Sequence, residues 1–410
     1  MNGIFLPLPG WQAYRQELRS VRLDMTLLLP CLAIMALGLV MVGSASITQA
    51  DRTLGQPFYY VIRQASFLLL GLGMAVTLFN LRMAWLARAG MPALFIALGL
   101  LILVLIPGLG KTVNGSARWI SLGVMNLQVS EPAKLLILIY LASYLVRRAE
   151  EVRGHFSGFL KPMSVLGLVS ILLLAEPDFG ATVVLMSTVL VMMYMAGVRL
   201  WQFLLLGMLA LSVFALLAVS SPYRLARLTT FLNPWADPFN SGFQLTQSLI
   251  AIGRGEIWGV GLGGSVQKLF YLPEAHTDFV FAVTAEELGL VGVTLVVSLY
   301  AWVVYRAFRI GHVAAQAEEM FSAYLAYGIG TWIGLQSLIN IGVNMGLLPT
   351  KGLTLPMFSY GGSSLVVMCL CIALLLRIDH ETRSSVHGRS RGVTRGSPRQ
   401  GVRRGRRGRR

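Results

Sequence analysis

Ionisable side chains are scarce in this sequence, and those set among apolar residues fall into four short segments. Ser130-Glu131-Pro132-Ala133-Lys134 places a carboxylate and an ammonium three residues apart, on one face of a helix. The pair either closes a helix end or belongs to a charged site. In Glu176-Pro177-Asp178, Asp178 either caps the next helix, at its positive end, or faces a site. Pro273-Glu274-Ala275-His276-Thr277-Asp278 runs directly into Phe279-Val280-Phe281. Acid, imidazole and hydroxyl groups therefore meet the start of an apolar helix. Partial burial there would raise the Asp278 pKa and suit it to proton abstraction. A capping role for Asp278 would need neither the histidine nor a second acid. Glu286 and Glu287 follow on the same helix, about 12 Å deeper at 1.5 Å per residue. The fourth segment is Pro349-Thr350-Lys351-Gly352-Leu353-Thr354-Leu355-Pro356, followed by Phe358-Ser359-Tyr360-Gly361-Gly362-Ser363-Ser364. Its glycines either admit an anion to backbone amides or pack helices closely. Upstream, Arg118 beside Trp119 is an interfacial anchor or a donor to an anionic headgroup.

The elements that must position these groups are membrane helices. Hydrophobic residues make up 55% of the chain and charged residues 13%, against about 25% charged in soluble domains. The deficit extends over nearly the whole length, so the sequence is not that of a soluble domain on one anchor. The fold class is all-α and polytopic, with about ten spans of bilayer length. They are expected near 24–46, 58–79, 89–107, 131–146, 162–175, 180–197, 200–220, 280–305, 321–346 and 358–377. The organisation is a segment 1–22, a membrane domain 23–379 holding one long loop over 221–279, and a tail 380–410. Within the loop, Gln244 to Ile252 reads as a short helix lying on the membrane. The first span is preceded by Arg15, Arg19 and Arg22 and is expected to stay uncleaved.

Basic residues set the orientation. With the N-terminus inside, Arg82, Arg88, Arg147, Arg148, Arg153, Lys161, Arg199, Arg306 and Arg309 fall on inner connections. Both termini are then cytoplasmic and the four charged segments lie on the outer side. Lys351 sits there against the charge bias, so topology does not explain it. The net charge of +16 is mostly the tail: residues 1–379 hold 23 basic and 17 acidic groups. The tail, with 11 of the 34 Lys and Arg residues, is expected to be disordered and to touch anionic headgroups. Nothing else supports nucleic-acid binding. Cys31, Cys369 and Cys371 sit in apolar runs, so neither a disulfide framework nor a metal site is read from them. The glycines at 259, 261, 263 and 264 do not follow a βαβ pattern, which argues against a nucleotide loop. An outward polar site with carboxylates, cations and an aromatic rim would suit a diphosphate or sugar on a lipid carrier.

Several motifs together resemble those of the SEDS family (shape, elongation, division and sporulation). They are Asn114-Gly115-Ser116-Ala117-Arg118-Trp119-Ile120, Gln128-Val129-Ser130-Glu131 with Lys134, Glu176-Pro177-Asp178-Phe179-Gly180, the run Pro273 to Phe281, Glu286-Glu287-Leu288-Gly289, and Ser359-Tyr360-Gly361-Gly362-Ser363. The likeness covers about residues 20–380, and the segments around Asp278 and Lys351 resemble the division member more than the elongation member. The resemblance implies a SEDS fold and a peptidoglycan glycosyltransferase that joins lipid II units into glycan strands at the outer face of the bacterial inner membrane, at the septum. It makes Asp278 the catalytic residue. Arg118, Lys134 and Lys351 become candidates to stabilise the leaving diphosphate. Glu131 and Asp178 would organise the site or bind a divalent ion such as Mg or Mn, although no cofactor is identifiable from the residues. His276 and Ser359 join the substrate-binding set. The implied partners are lipid II, a class B penicillin-binding protein of the FtsI type and other divisome proteins. Rival readings are a lipid II flippase, an elongation-type polymerase, and a scaffold acting through the tail.

Overall fold

A computed structural model of the chain describes residues 23–113, 116–121, 123, 126–205, 207–208, 233–240, 242–269, 272–349 and 352–395. The helices are α1 (Met25–Leu54), α2 (Tyr59–Phe79), α3 (Met83–Arg88), α4 (Gly90–Leu105), α5 (Ser130–Arg147), α6 (Ala149–Gly154), α7 (Phe156–Ala175), α8 (Phe179–Met195), α9 (Phe243–Gly255), α10 (Val280–Gln316), α11 (Met320–Asn344) and α12 (Gly362–Arg395). Nine of the expected spans coincide with α1, α2, α4, α5, α7, α8, α10, α11 and α12. The one expected over 200–220 lies mostly outside the described residues. The surface helix expected over 244–252 is α9.

Among the described residues, α1, α2, α7, α10 and the stretch Gly362–Ser385 are long and apolar enough to cross a membrane. They carry outward apolar side chains, such as Leu29 and Ile47 on α1, Ile62, Leu69 and Val76 on α2, and Leu290, Leu295 and Trp302 on α10. Such rows are unfavourable in water and suit lipid. Two helices form the centre instead. From Ser130 to Leu145, α5 is buried at every residue except Pro132 and Leu136, and α11 is buried over most of its length. Around them, α10 packs on α11, α4 on α5, α8 on α11, α1 on α10, and α2 on α12. This arrangement explains why Glu131, Lys134, Gln336, Asn340 and Asn344 sit on these two helices. Polar groups at membrane depth face the bundle interior.

Three features depart from the sequence reading. First, the connection before α5, for which no element is expected, is structured. It forms an antiparallel sheet in the order β1-β2-β3, from β1 (Gly110–Val113), β2 (Ser116–Ser121) and β3 (Asn126–Gln128), with Trp119 paired to Lys111 on one side and Gln128 on the other. The Asn114-Gly115 dipeptide between β1 and β2 is a strong hairpin signal, and it lies outside the described residues.

Second, the tail expected to be disordered from residue 380 begins as helix, because α12 continues to Arg395. Its polar residues there have partners. Glu381 accepts the Met83 N–H at 3.0 Å, and the Thr382 and Ser385 hydroxyls donate to Glu319 at 3.0 and 2.8 Å. Residues 396–410 lie outside the described set.

Third, α10 is broken at Gly289, whose φ of 63° and ψ of −162° are not helical. Only glycine adopts that conformation readily.

Candidate active site

Asp278 stands two residues before α10, at the end of the bundle where the sheet, the α7–α8 turn and the 352–361 segment meet. Its backbone carbonyl accepts hydrogen bonds from Asn340 Nδ2 and Asn344 Nδ2, both at 3.0 Å. Asn344 Oδ1 in turn accepts the Ala282 N–H at 3.1 Å, a donor at the helix start that is shared with the Phe279 carbonyl at 3.0 Å. Asn340 also reaches the Leu353 carbonyl at 2.6 Å. The amides of α11 therefore fix both the backbone of Asp278 and the strand of chain opposite it. A Cβ at position 352 would lie 3.3 Å from Asp278 Oδ2, so Gly352 leaves the carboxylate its room.

Part of the Asp278 surface stays open, but its carboxyl is packed round by protein. Burial pushes its pKa up to about 7; the Glu274 carboxylate adds to the rise and the Arg118 guanidinium opposes it. A carboxyl so poised is half ionised near neutrality and can accept a proton there.

Arg118, on β2, donates from Nε to the Glu176 carbonyl at 3.0 Å and from Nη2 to the Pro177 carbonyl. These bonds bring the guanidinium of the sheet to the α7–α8 turn, where its charge acts on both Asp278 and Glu176. Asp178 is the N-cap of α8: Oδ1 accepts the Ala181 N–H at 3.1 Å, and Oδ2 accepts from Ser130 Oγ at 2.9 Å and Gln128 Nε2 at 3.4 Å. It thereby locks α8 to the start of α5.

Lys134 is 1% exposed. Its Nζ lies 2.9 Å from Glu131 Oε1 and 3.2 Å from Gln336 Oε1, and 4.6 Å from the centre of the Trp332 ring. Gln336 continues the chain of contacts to the Thr354 carbonyl at 2.9 Å. The ammonium is thus enclosed beneath the 352–361 segment and presents no open face. Ser359 is also turned inward, where its Oγ accepts the Leu355 N–H at 2.9 Å and closes the turn. His276 packs against Tyr60 and Tyr360, with ring centres 4.5 and 5.6 Å away, in a cluster whose two tyrosine rings also meet edge-on at 5.1 Å, and burial lowers its pKa below the ordinary range. It is a neutral ring near pH 7. Lys351 lies outside the described residues.

The sequence reading missed the amides of α11 and Gln64 of α2. Gln64 Nε2 donates to the Ser359 carbonyl at 3.0 Å and its Oε1 accepts the Gly361 N–H at 3.4 Å. Gln336, Asn340 and Asn344 recur every four residues in a largely apolar helix, a stripe of amides along one face. That spacing was the available signal.

Glu131 and Asp178 have few oxygens to offer a divalent ion. Both Asp178 oxygens are used by the cap, Ser130 and Gln128, and one Glu131 oxygen is paired with Lys134. Only Glu131 Oε2 is left without a partner, and among the described residues no cluster of three or more acidic, His or Cys groups is arranged for a metal. These residues do not fit a divalent ion.

Glu176 is buried and neither of its oxygens has a hydrogen-bond partner. Burial pushes its pKa up to about 8, Asp178 adding to the rise and Arg118 opposing it. The fold therefore prefers the neutral acid, whereas the unfolded chain ionises near 4.5. Stability contributed by this group is complete below about pH 4.5 and is lost as the pH rises through about 8. Glu176→Gln, a neutral side chain of the same shape, is expected to fold normally. Its thermal midpoint in detergent should match wild type at pH 4.5 and exceed it at pH 8.

Comparison with known proteins accords with this geometry. A sequence profile of the FtsW, RodA and SpoVE group, described as cell cycle protein, matches residues 25–384. The chain belongs to this family. Its relatives include the probable peptidoglycan glycosyltransferase FtsW of Thioalkalivibrio sulfidiphilus, 61% identical over 365 residues that cover 89% of this chain and 91% of the relative. The FtsW of Nitrosococcus halophilus, with the same description, is 58% identical over 360 residues, 88% of this chain and 93% of the other. Among solved structures, a chain of a peptidoglycan synthase complex that coordinates polymerization and crosslinking superposes with a TM-score of 0.70 at 31% identity, covering 88% of this chain and 99% of that one. The rod shape determining protein RodA of Thermus thermophilus superposes at 0.64 with 29% identity, covering 89% and 99%. The polytopic helical architecture is thus the FtsW/RodA/SpoVE fold, and the chain is an integral membrane protein.

Proposed function

We propose that this chain is a peptidoglycan glycosyltransferase of the FtsW type, which polymerises lipid II during septal wall synthesis. The observation that carries the reading is Asp278: a carboxylate tuned to about 7, tethered through its own carbonyl, with the cation of Arg118 near it. Asp278 removes the proton from the sugar 4-hydroxyl of the acceptor. That oxygen attacks the anomeric carbon of the donor from the face opposite the leaving group. The bond to undecaprenyl diphosphate breaks, and the product is inverted. Arg118 supplies positive charge for the departing diphosphate, as would Lys351. The Lys134–Glu131 pair and Asp178 hold the walls of the site, His276 packs at its rim, and Ser359 closes the turn that carries Tyr360. Basic residues of the opposite end, including Arg82, Arg88, Arg148 and Lys161, favour that end facing the cytoplasm. The site then opens at the outer face of the inner membrane, where the lipid-linked sugar arrives. A class B penicillin-binding protein would supply crosslinking beside it.

The test is conversion of purified lipid II to polymer by the detergent-solubilised full chain, with and without a class B partner, together with transport of labelled lipid II in vesicles. Polymer made by wild type and lost in Asp278→Ala is the expected result. Translocation without polymer, indifferent to that substitution, would make the chain a flippase instead.

A further inference from the structure

The break in α10 is mended by another part of the chain. At Gly289 the helix loses its internal hydrogen bonds, a loss that hydrocarbon does not tolerate. The segment after α9 replaces them. Val260 and Gly261 donate to the carbonyls of Glu286 and Glu287 at 3.0 and 3.1 Å, and the Leu290 and Val291 N–H groups donate to Glu256 and Ile257 at 2.9 and 3.2 Å. The approach is backbone on backbone: a Cβ at Gly259 would stand 2.1 Å from the Glu287 carbonyl oxygen.

At the same level Glu286 and Glu287 are fully buried. Glu286 meets Arg254 Nη1 at 3.0 Å and accepts the Val266 N–H at 3.1 Å, with the Ser265 hydroxyl also donating to it. Glu287 meets Lys268 Nζ at 2.8 Å and accepts from Ser44 Oγ at 2.7 Å. Lys268 Nζ also lies 2.9 Å from Ser44 Oγ and donates to the Gly263 carbonyl at 2.8 Å. Two ion pairs thus fasten α9, the segment after it and α1 onto the short first half of α10.

That half-helix, 280–288, is about 13 Å long at 1.5 Å per residue, and Asp278 precedes it directly. Because Gly289 uncouples it from the rest of α10, the long helix does not set its direction. Asn340 and Asn344 hold the Asp278 end, and the two ion pairs hold the other.

We infer that Lys268–Glu287–Ser44 and Arg254–Glu286 form a clamp that aims the half-helix bearing Asp278, so that Lys268, Arg254, Glu286, Glu287 and Ser44 are positioning residues for the transfer reaction. The inference rests on Asp278 being the base. Misplacing a reacting group by about 1 Å costs on the order of 100-fold in rate, so a loosened clamp acts on turnover rather than on substrate affinity.

The experiment measures polymerisation of lipid II by folded, detergent-purified full chain, as kcat, KM and the pH dependence of kcat. Lys268→Met is expected to lower kcat about 10- to 100-fold, with KM within about 2-fold of wild type and the acidic limb of the pH profile displaced. Lys268→Arg should restore much of the rate. Arg254→Gln and Ser44→Ala, milder changes at less buried side chains, should each lower kcat several-fold, and they decide the matter if Lys268→Met does not fold. Wild-type kcat and an unmoved pH profile in the folded variants, with Asp278→Ala inactive, would overturn the clamp and leave the base in place. An active Asp278→Ala would instead remove the base, and the clamp's purpose with it.

Discussion

Asp278→Asn is expected to lower lipid II polymerisation by about 10²- to 10⁴-fold, the range for losing a positioned general base, while making the protein more stable at alkaline pH. The two effects share one origin. Burial raises the Asp278 pKa from 3.8 to about 7, so the fold prefers the protonated acid, and its ionisation costs stability as the pH rises from about 4 through about 7. Asparagine removes that cost and keeps the shape. A variant that is inactive yet melts at or above the wild-type temperature at pH 8 cannot owe its inactivity to misfolding. The wild-type rate should climb with pH along a limb centred near 7, since only the carboxylate accepts the proton. That limb should be missing from whatever residual rate the variant retains. Thermal unfolding and a pH series on one preparation of each protein check both halves. A variant with lowered stability and an unchanged limb would argue that Asp278 only caps its helix.

The second large effect concerns Lys134. Lys134→Met leaves Glu131 buried without its cation, a change that typically costs about 3–5 kcal/mol and should markedly lower the melting temperature or the yield. Glu131→Gln together with Lys134→Met replaces the pair by neutral side chains of similar volume and should recover most of the lost stability. The double variant also separates two roles. If Lys134 acts only by neutralising the buried Glu131, the folded double variant keeps most of its polymerisation rate. If its charge reaches the diphosphate, the double variant folds and stays slow. The enclosure of the ammonium favours the first outcome, and a double-mutant cycle in melting temperature and kcat measures it.

Much of this was legible from side-chain type alone. Hydropathy located nine of the helices, because a span must be apolar whatever it packs against, but it did not see that α1, α7, α10 and α12 run on as polar helix, by 6 to 18 residues, beyond their apolar stretches. Asp278 was readable because an acid followed directly by Phe-Val-Phe must sit at a boundary. Asp178 and Lys134 were ambiguous, since a carboxylate that caps a helix and one that faces a ligand have the same sequence; only the positions of Ala181, Ser130 and Gln336 separate the roles. The small sheet escaped notice because its strands, Gly110–Val113, Ser116–Ser121 and Asn126–Gln128, are only three to six residues long and follow a long apolar stretch. The break at Gly289 escaped for another reason. One glycine in an apolar helix is commonplace, and what makes this one a break is the segment 256–261, more than twenty-five residues earlier, laying its hydrogen bonds against it. The span expected at 280–305 accordingly covered both halves as one rod.

The long helix α12 is pinned at two distant points. Near its start, Ser363 Oγ donates to the Asn126 carbonyl and accepts the Gln128 N–H, at 3.1 and 2.9 Å. Near the other surface, Thr382 and Ser385 are bonded to Glu319. Between Ser363 and Ser385 the helix rises about 33 Å, close to the roughly 30 Å of a hydrocarbon core. A rod fixed at both ends neither shortens nor tilts freely, so the protein sets its own thickness. In a thinner or thicker bilayer the lipid must stretch or compress to meet it, and the sheet bearing Arg118 keeps its height above the midplane. The protein therefore carries its own gauge for the height of Arg118 along the membrane normal.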